Sequence, residues 1–388
     1  MKLTYLKTEE KVLKVVIKNT LPVMIMLFSS VVLSHVSSSE KNSAASGAVH
    51  SHASISSPKQ NIRNTVLTKR SADCAEYVSV TYASVEDEQR RKSFQSHLTI
   101  TAEGNHCLFH SNNIPNHNFN DRTAHFAHSV EEIAQQFTLN RYPIYREHTV
   151  PLSQQWLNGI MLNGVVIDLM SAGCYQPNAP MADREGNVSA GCRGNAKWVL
   201  EPLGSIHKFG SDAHNAHTQP GGMYHYHGNP KALFNDQPGA KGSPVIGFAA
   251  DGFPIYGSYF FDGQTVRKAR SSYQLKQGYR PGRNGTDPGG NYDGTYIADY
   301  AFKEGSGDLD KCNGMRINGQ YGYYVTDTYP WILNCFRGQP HLSFQKKPLS
   351  SNPSSSNPSM GHPPREHPGQ REQRGGRHPP PHHRRPPP

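Results

Sequence analysis

The chain has 388 residues, with 40 Lys and Arg against 30 Asp and Glu, a formal charge of +10. The surplus sits at the ends: residues 1–70 hold 10 basic and 3 acidic side chains, residues 346–388 hold 8 and 2, and residues 71–345 are left at −3. The basic balance therefore describes the flanks rather than a nucleic-acid-binding face, and the core carries no basic helix or nucleic-acid motif.

From the N-terminus, Lys7, Lys11, Lys14 and Lys18 precede an apolar run from Leu21 to Leu33, followed by the small Val36 and Ser38. This is the layout of a secretory leader over 1–38; a run that short falls below the roughly 20 residues of a membrane-spanning helix. An uncleaved signal anchor is the alternative. Residues 39–70 are rich in Ser, Ala, Asn and His and lack apolar periodicity, which predicts a disordered linker or propeptide. Lys69-Arg70 closes it, either as a processing site or as an ordinary basic linker end. Residues 346–388 are rich in Pro, Ser, His and Arg and cannot pack a core, which predicts a solvated tail.

Six cysteines, Cys74, Cys107, Cys174, Cys192, Cys312 and Cys335, all fall within 71–345, and none forms a C-x-x-C pair. An even count behind a leader predicts disulfides in a secreted, extracellular protein, and the clustering in couples points to Cys74–Cys107, Cys174–Cys192 and Cys312–Cys335. The sequons at Asn187 and Asn284 fit the same compartment. No membrane contact is expected once the leader is removed.

Within the core the best helix signal is the capping box Ser129-Val130-Glu131-Glu132. Elsewhere Gly, Asn, Asp and Pro punctuate short β-branched and aromatic runs: Tyr77–Ser84, His97–Ala102, Ile160–Leu169, Val245–Ala250, Tyr292–Phe302 and Gly322–Thr326. That spacing predicts an all-β or β-dominated, sandwich-like single large domain over 71–345, with long loops and few short helices. Leu162-Asn163-Gly164-Val165-Val166-Ile167 echoes Ala250-Asp251-Gly252-Phe253-Pro254-Ile255, and Tyr224-His225-Tyr226-His227 echoes Tyr321-Gly322-Tyr323-Tyr324. A duplicated unit would produce this, but so would the general use of Asn-Gly and Asp-Gly turns, which is the preferred reading.

Residues 207–227 hold His207, His214, His217, His225 and His227. On a strand His225 and His227 project to one face and Tyr224 and Tyr226 to the other. Two imidazoles from one strand plus His217, turned back by Pro220-Gly221-Gly222, form a plausible zinc or copper site, with His214 as a spare ligand. The same residues could instead build a hydrogen-bonded network or a sugar- or peptide-binding surface. Asp212 and Asp251 are candidate carboxylates beside the imidazoles, as orienting groups or as a general base; Asp251-Gly252 and Asp310 also read as turn residues.

Asn113–His117, Leu162–Val165, Asp212–Pro230, Ile246–Gly257, Leu309–Gly314 and Gly322–Gly338 together resemble the YHYH-domain family, over about 95–340. The resemblance implies an exported protein and a metal role for the histidines, with His117 as a further ligand from afar. Members often carry histidines where this chain has Gly322 and Tyr324, so the site is placed on the first cluster. Two functions remain open: an extracellular metalloprotein, hydrolytic if an enzyme, or a non-catalytic extracellular-matrix component contacting carbohydrate, mineral or protein. There is no H-E-x-x-H and no nucleophile elbow to decide for an enzyme.

Overall fold

In the computed structural model the described residues are 58–192, 196–204, 209–235, 237–282 and 285–346. The leader, the tail beyond Lys346, His207 and the Asn284 sequon lie outside them.

The fold is all-β. A first sheet runs β1 (Lys59–Asn61), β2 (Ser79–Asp87), β3 (Lys92–Glu103), β4 (His106–Ser111) and β5 (Gln135–Asn140), in that spatial order. Its long strands alternate: Phe94, Leu98 and Ile100 of β3 point inward while Gln95, His97 and Thr99 turn away, the period-2 pattern of a sheet with one covered face. The second sheet uses β6 (Gly159–Met161), β7 (Val166–Ile167), β8 (Ala216–Thr218), β9 (Tyr224–Tyr226), β10 (Val245–Ala249), β11 (Pro254–Tyr256), β12 (Gly314–Ile317) and β13 (Gln320–Tyr324). The two sheets share one core, in which Phe109 of β4 and Tyr77 meet the ring of Phe248 on β10.

The strand order of the second sheet is β8-β9-β7-β6-β10-β11-β13-β12, which reads the same from either end. Hairpin β6–β7 matches β10–β11, and hairpin β8–β9 matches β12–β13; β9 lies parallel to β7 as β13 lies parallel to β11. The equivalence extends to single bonds. Gly164 (φ 88°) and Gly252 (φ 90°) turn the first hairpins. Asp212 accepts from the backbone of His214 and the hydroxyl of Tyr224, as Asp310 accepts from Cys312 and Tyr321. Asn163 donates to the Tyr226 hydroxyl at the position where Asp251 accepts from that of Tyr323. The sequence echo is therefore a duplicated β-unit, correcting the preference for coincidental turn chemistry. The halves meet where Gly247 of β10 pairs with Met161 of β6.

The cysteines pair as expected, Cys74–Cys107, Cys174–Cys192 and Cys312–Cys335. Two expectations are corrected. The capping box at 129–132 starts no helix: Glu131 and Ile133 donate to the backbones of Gly222 and Asn112, and the chain enters β5 extended. The part of the linker from 59 to 70 is folded in: β1 pairs with β2, Leu67 donates to Leu233, and Lys69 accepts from Val245. The Arg70 guanidinium bonds the Ser243 carbonyl. The Asn187 side chain is buried, its Oδ1 accepting from the Tyr296 hydroxyl at 2.6 Å.

Candidate metal centre

The β8–β9 hairpin pairs His217 directly with His225, and His227 follows two residues on, past the end of β9. Alternation sends these three rings to one face and the Tyr224 and Tyr226 rings to the other, as the sequence predicts. There the three Nε2 atoms converge: His227 Nε2 is 3.0 Å from that of His225 and 3.0 Å from that of His217. His225 and His227 are buried, and His217 is partly so.

The outer nitrogens fix the ring protonation. His217 Nδ1 meets the Phe209 carbonyl at 2.6 Å and His225 Nδ1 meets the Met223 carbonyl at 3.1 Å. A carbonyl only accepts, so both Nδ1 atoms carry the proton and both Nε2 atoms point bare lone pairs inward. His227 cannot satisfy both: a proton on its Nε2 serves one neighbour and leaves the other opposed. Its Nδ1 is buried with no partner among the described residues. Burial also keeps the rings uncharged, drawing His217 down to about 3, His225 to about 4 and His227 well below the usual histidine range. Three neutral, converging imidazole donors with an unsatisfied edge are the donor set that zinc and copper take.

The other candidates lie elsewhere. His214 packs against His117, ring centroids 3.8 Å apart and tilted by 40°, and does not join the triad. His117 Nε2 bonds the Tyr226 hydroxyl on the opposite face of the sheet, so it is no ligand here. Asp212 is occupied by Tyr224 and its own turn; burial raises its carboxyl to about 6. Asp251 sits in the other half, across β7 and β6, accepting from Tyr323 and the Gly338 backbone. Neither serves as a carboxylate beside the imidazoles. Asp73 with Cys74 and Cys107 also converge, but those sulfurs form a disulfide and offer no thiolate.

Sequence reasoning missed two carboxylates near the triad. Asp168 extends β7, donating its N–H to the Tyr226 carbonyl at 3.1 Å, and its charge acts on His217. Glu201 shares with His227 the wall of a cavity of about 190 Å³, otherwise lined by groups such as Leu169, Met170, Tyr329 and Trp331. It accepts from Trp331 Nε1 at 3.0 Å, and burial raises its carboxyl to about 7. Neither belongs to a histidine motif, so no local spacing signals them.

The family described as YHYH protein has a model that matches residues 136–338, a span holding both halves of the duplicated sheet and the three imidazoles. No curated protein and no solved structure matches the chain.

Proposed function

The chain belongs to the YHYH protein family, and on that footing we propose that it is an exported protein holding one zinc or copper ion on His217, His225 and His227. The observation that carries this is the tautomer argument: two rings anchored through Nδ1 turn their Nε2 lone pairs onto the third, with no proton available to relieve both contacts. A divalent ion relieves them all. Zinc held this way lowers the pKa of a bound water toward neutrality. Of the three rings, that of His227 contributes to the wall of the neighbouring cavity, the space nearest the triad that a bound water or small ligand could use. Export is supported by the apolar N-terminal run and the three disulfides.

The test is metal content by mass spectrometry on the purified chain and on a His225→Ala, His227→Ala variant. One equivalent of zinc or copper is expected in the first and none in the second. A wild-type protein that stays folded and takes up neither metal sinks the proposal.

A further inference from the structure

We propose that Asp168 is the anionic partner of the three imidazoles, and that Lys346 competes with a divalent ion for its buried carboxylate. This rests on the metal reading of the triad and adds a fourth group and a built-in competitor.

Asp168 is 2% exposed. One of its oxygens is paired with the Lys346 ammonium; the other is buried with no partner among the described residues. An orphaned carboxylate oxygen in a dry interior costs several kcal/mol unless a cation or donor faces it. Parallel pairing sets His225 opposite Val166 and Tyr226 opposite Ile167, so the next step along both strands brings His227 level with Asp168. The second half shows what that register does. There the level pair is Tyr324 and Tyr256, and their rings stack at 5.0 Å. By that register the two positions lie on one face, and in the first half they carry an imidazole and a carboxylate.

The electrostatics agree. Three neutral imidazoles leave both charges of a divalent ion uncompensated in a buried site, and one carboxylate halves that excess. The same ion would stand against the Lys346 ammonium, so ion and ammonium oppose each other at one anion. Lys346 can yield without unfolding anything. Its backbone is held independently, donating to Gln155, with Phe344 stacked on Phe137 at 4.4 Å just before it. Its side chain is 25% exposed and has a path outward.

The experiment is zinc titration of the full chain by calorimetry, on wild type, Lys346→Met, Lys346→Arg, Asp168→Asn and the Asp168→Asn, Lys346→Met double variant. Lys346→Met is expected to tighten zinc about tenfold, the equivalent of about 1.4 kcal/mol. Lys346→Arg, which keeps the charge and the pair, should stay within about threefold of wild type. Asp168→Asn should weaken zinc by about 10–100-fold, and Lys346→Met should then change nothing further. Unchanged affinity in Lys346→Met overturns the competition, and so does equal tightening in the Asn background. Should Asp168→Asn fail to fold, the contrast between Met and Arg at 346 decides alone. A wild type that binds no zinc or copper defeats the metal reading itself and this inference with it; one that binds but ignores both residues defeats only this inference.

Discussion

At the scale of single residues, the imidazoles were legible because two-residue spacing on a strand is a strong signal that survives any detail of the fold. Asp168 was not, because Val166-Ile167-Asp168-Leu169 looks like any strand end, and its importance comes from a parallel partner distant in sequence. Asp251 was legible as a carboxylate ending a buried strand and as a turn residue, which the Phe253 N–H donating to its Oδ1 matches, but its tyrosine partner was not legible. Its real setting makes a pH prediction. Burial raises its carboxyl from an ordinary 3.8 to about 6. The folded state thus holds this proton more tightly than the unfolded chain. The stability it contributes is complete below about 3.8 and is lost as pH rises through about 6. By alkaline pH the loss amounts to about 3 kcal/mol at most. Asp251→Asn keeps an oxygen for Tyr323 and Gly338 and removes the charge, and the equivalent position in the other half is already Asn163. Urea unfolding should show Asp251→Asn more stable than wild type at pH 8 and not at pH 4. The same change at both pH values would refute this.

At the scale of elements, short β-branched and aromatic runs between turn residues anticipated a β-fold and marked β2, β3, β6, β7, β9, β10 and β13, but not β4, β5, β11 or β12. What they could not weigh was the duplication, because the two halves share bonding more than letters. Asn163 donates to a tyrosine hydroxyl where Asp251 accepts from one, and His214 and Cys312 offer the same backbone N–H behind unrelated side chains. The capping box failed for a related reason: Glu131 and Ile133 find strand-like partners in Gly222 and Asn112, and tertiary pairing overrides a local preference. The duplication also explains Gly322, the counterpart of His225. A Cβ there would lie 2.5 Å from Cε2 of Tyr256, so the aromatic stack has taken the room that an imidazole uses in the first half. Gly322→Ala should cost about 1–3 kcal/mol in denaturant unfolding. Most of that cost should vanish in a Tyr256→Ala background, and a simply additive pair would show that the ring is not the obstacle.

At the scale of the whole molecule, the disulfides tie down long excursions that the sheets alone do not. Cys312–Cys335 closes a 23-residue separation running from the entry of β12 past β13 to the segment beyond it. Replacing both cysteines by Ala should lower stability by about 3 kcal/mol, read from the denaturation midpoint. A shift of a few tenths would mean that neighbouring contacts already hold that loop. The cysteine couples were readable because each partner is near in sequence, and strand spacing suggested a sandwich-like domain; which strands face one another was not readable, since that depends on contacts such as Phe109 with Phe248. The palindromic order of the large sheet has one more consequence. His217 lies on β8, an edge strand of the large sheet that, among the described residues, pairs with β9 alone. An ion shared by His217, His225 and His227 would therefore rivet the rim of the sheet to the strand inside it, and the ligand that makes the centre possible would also guard an open border against fraying and against recruitment by a stray strand from another chain.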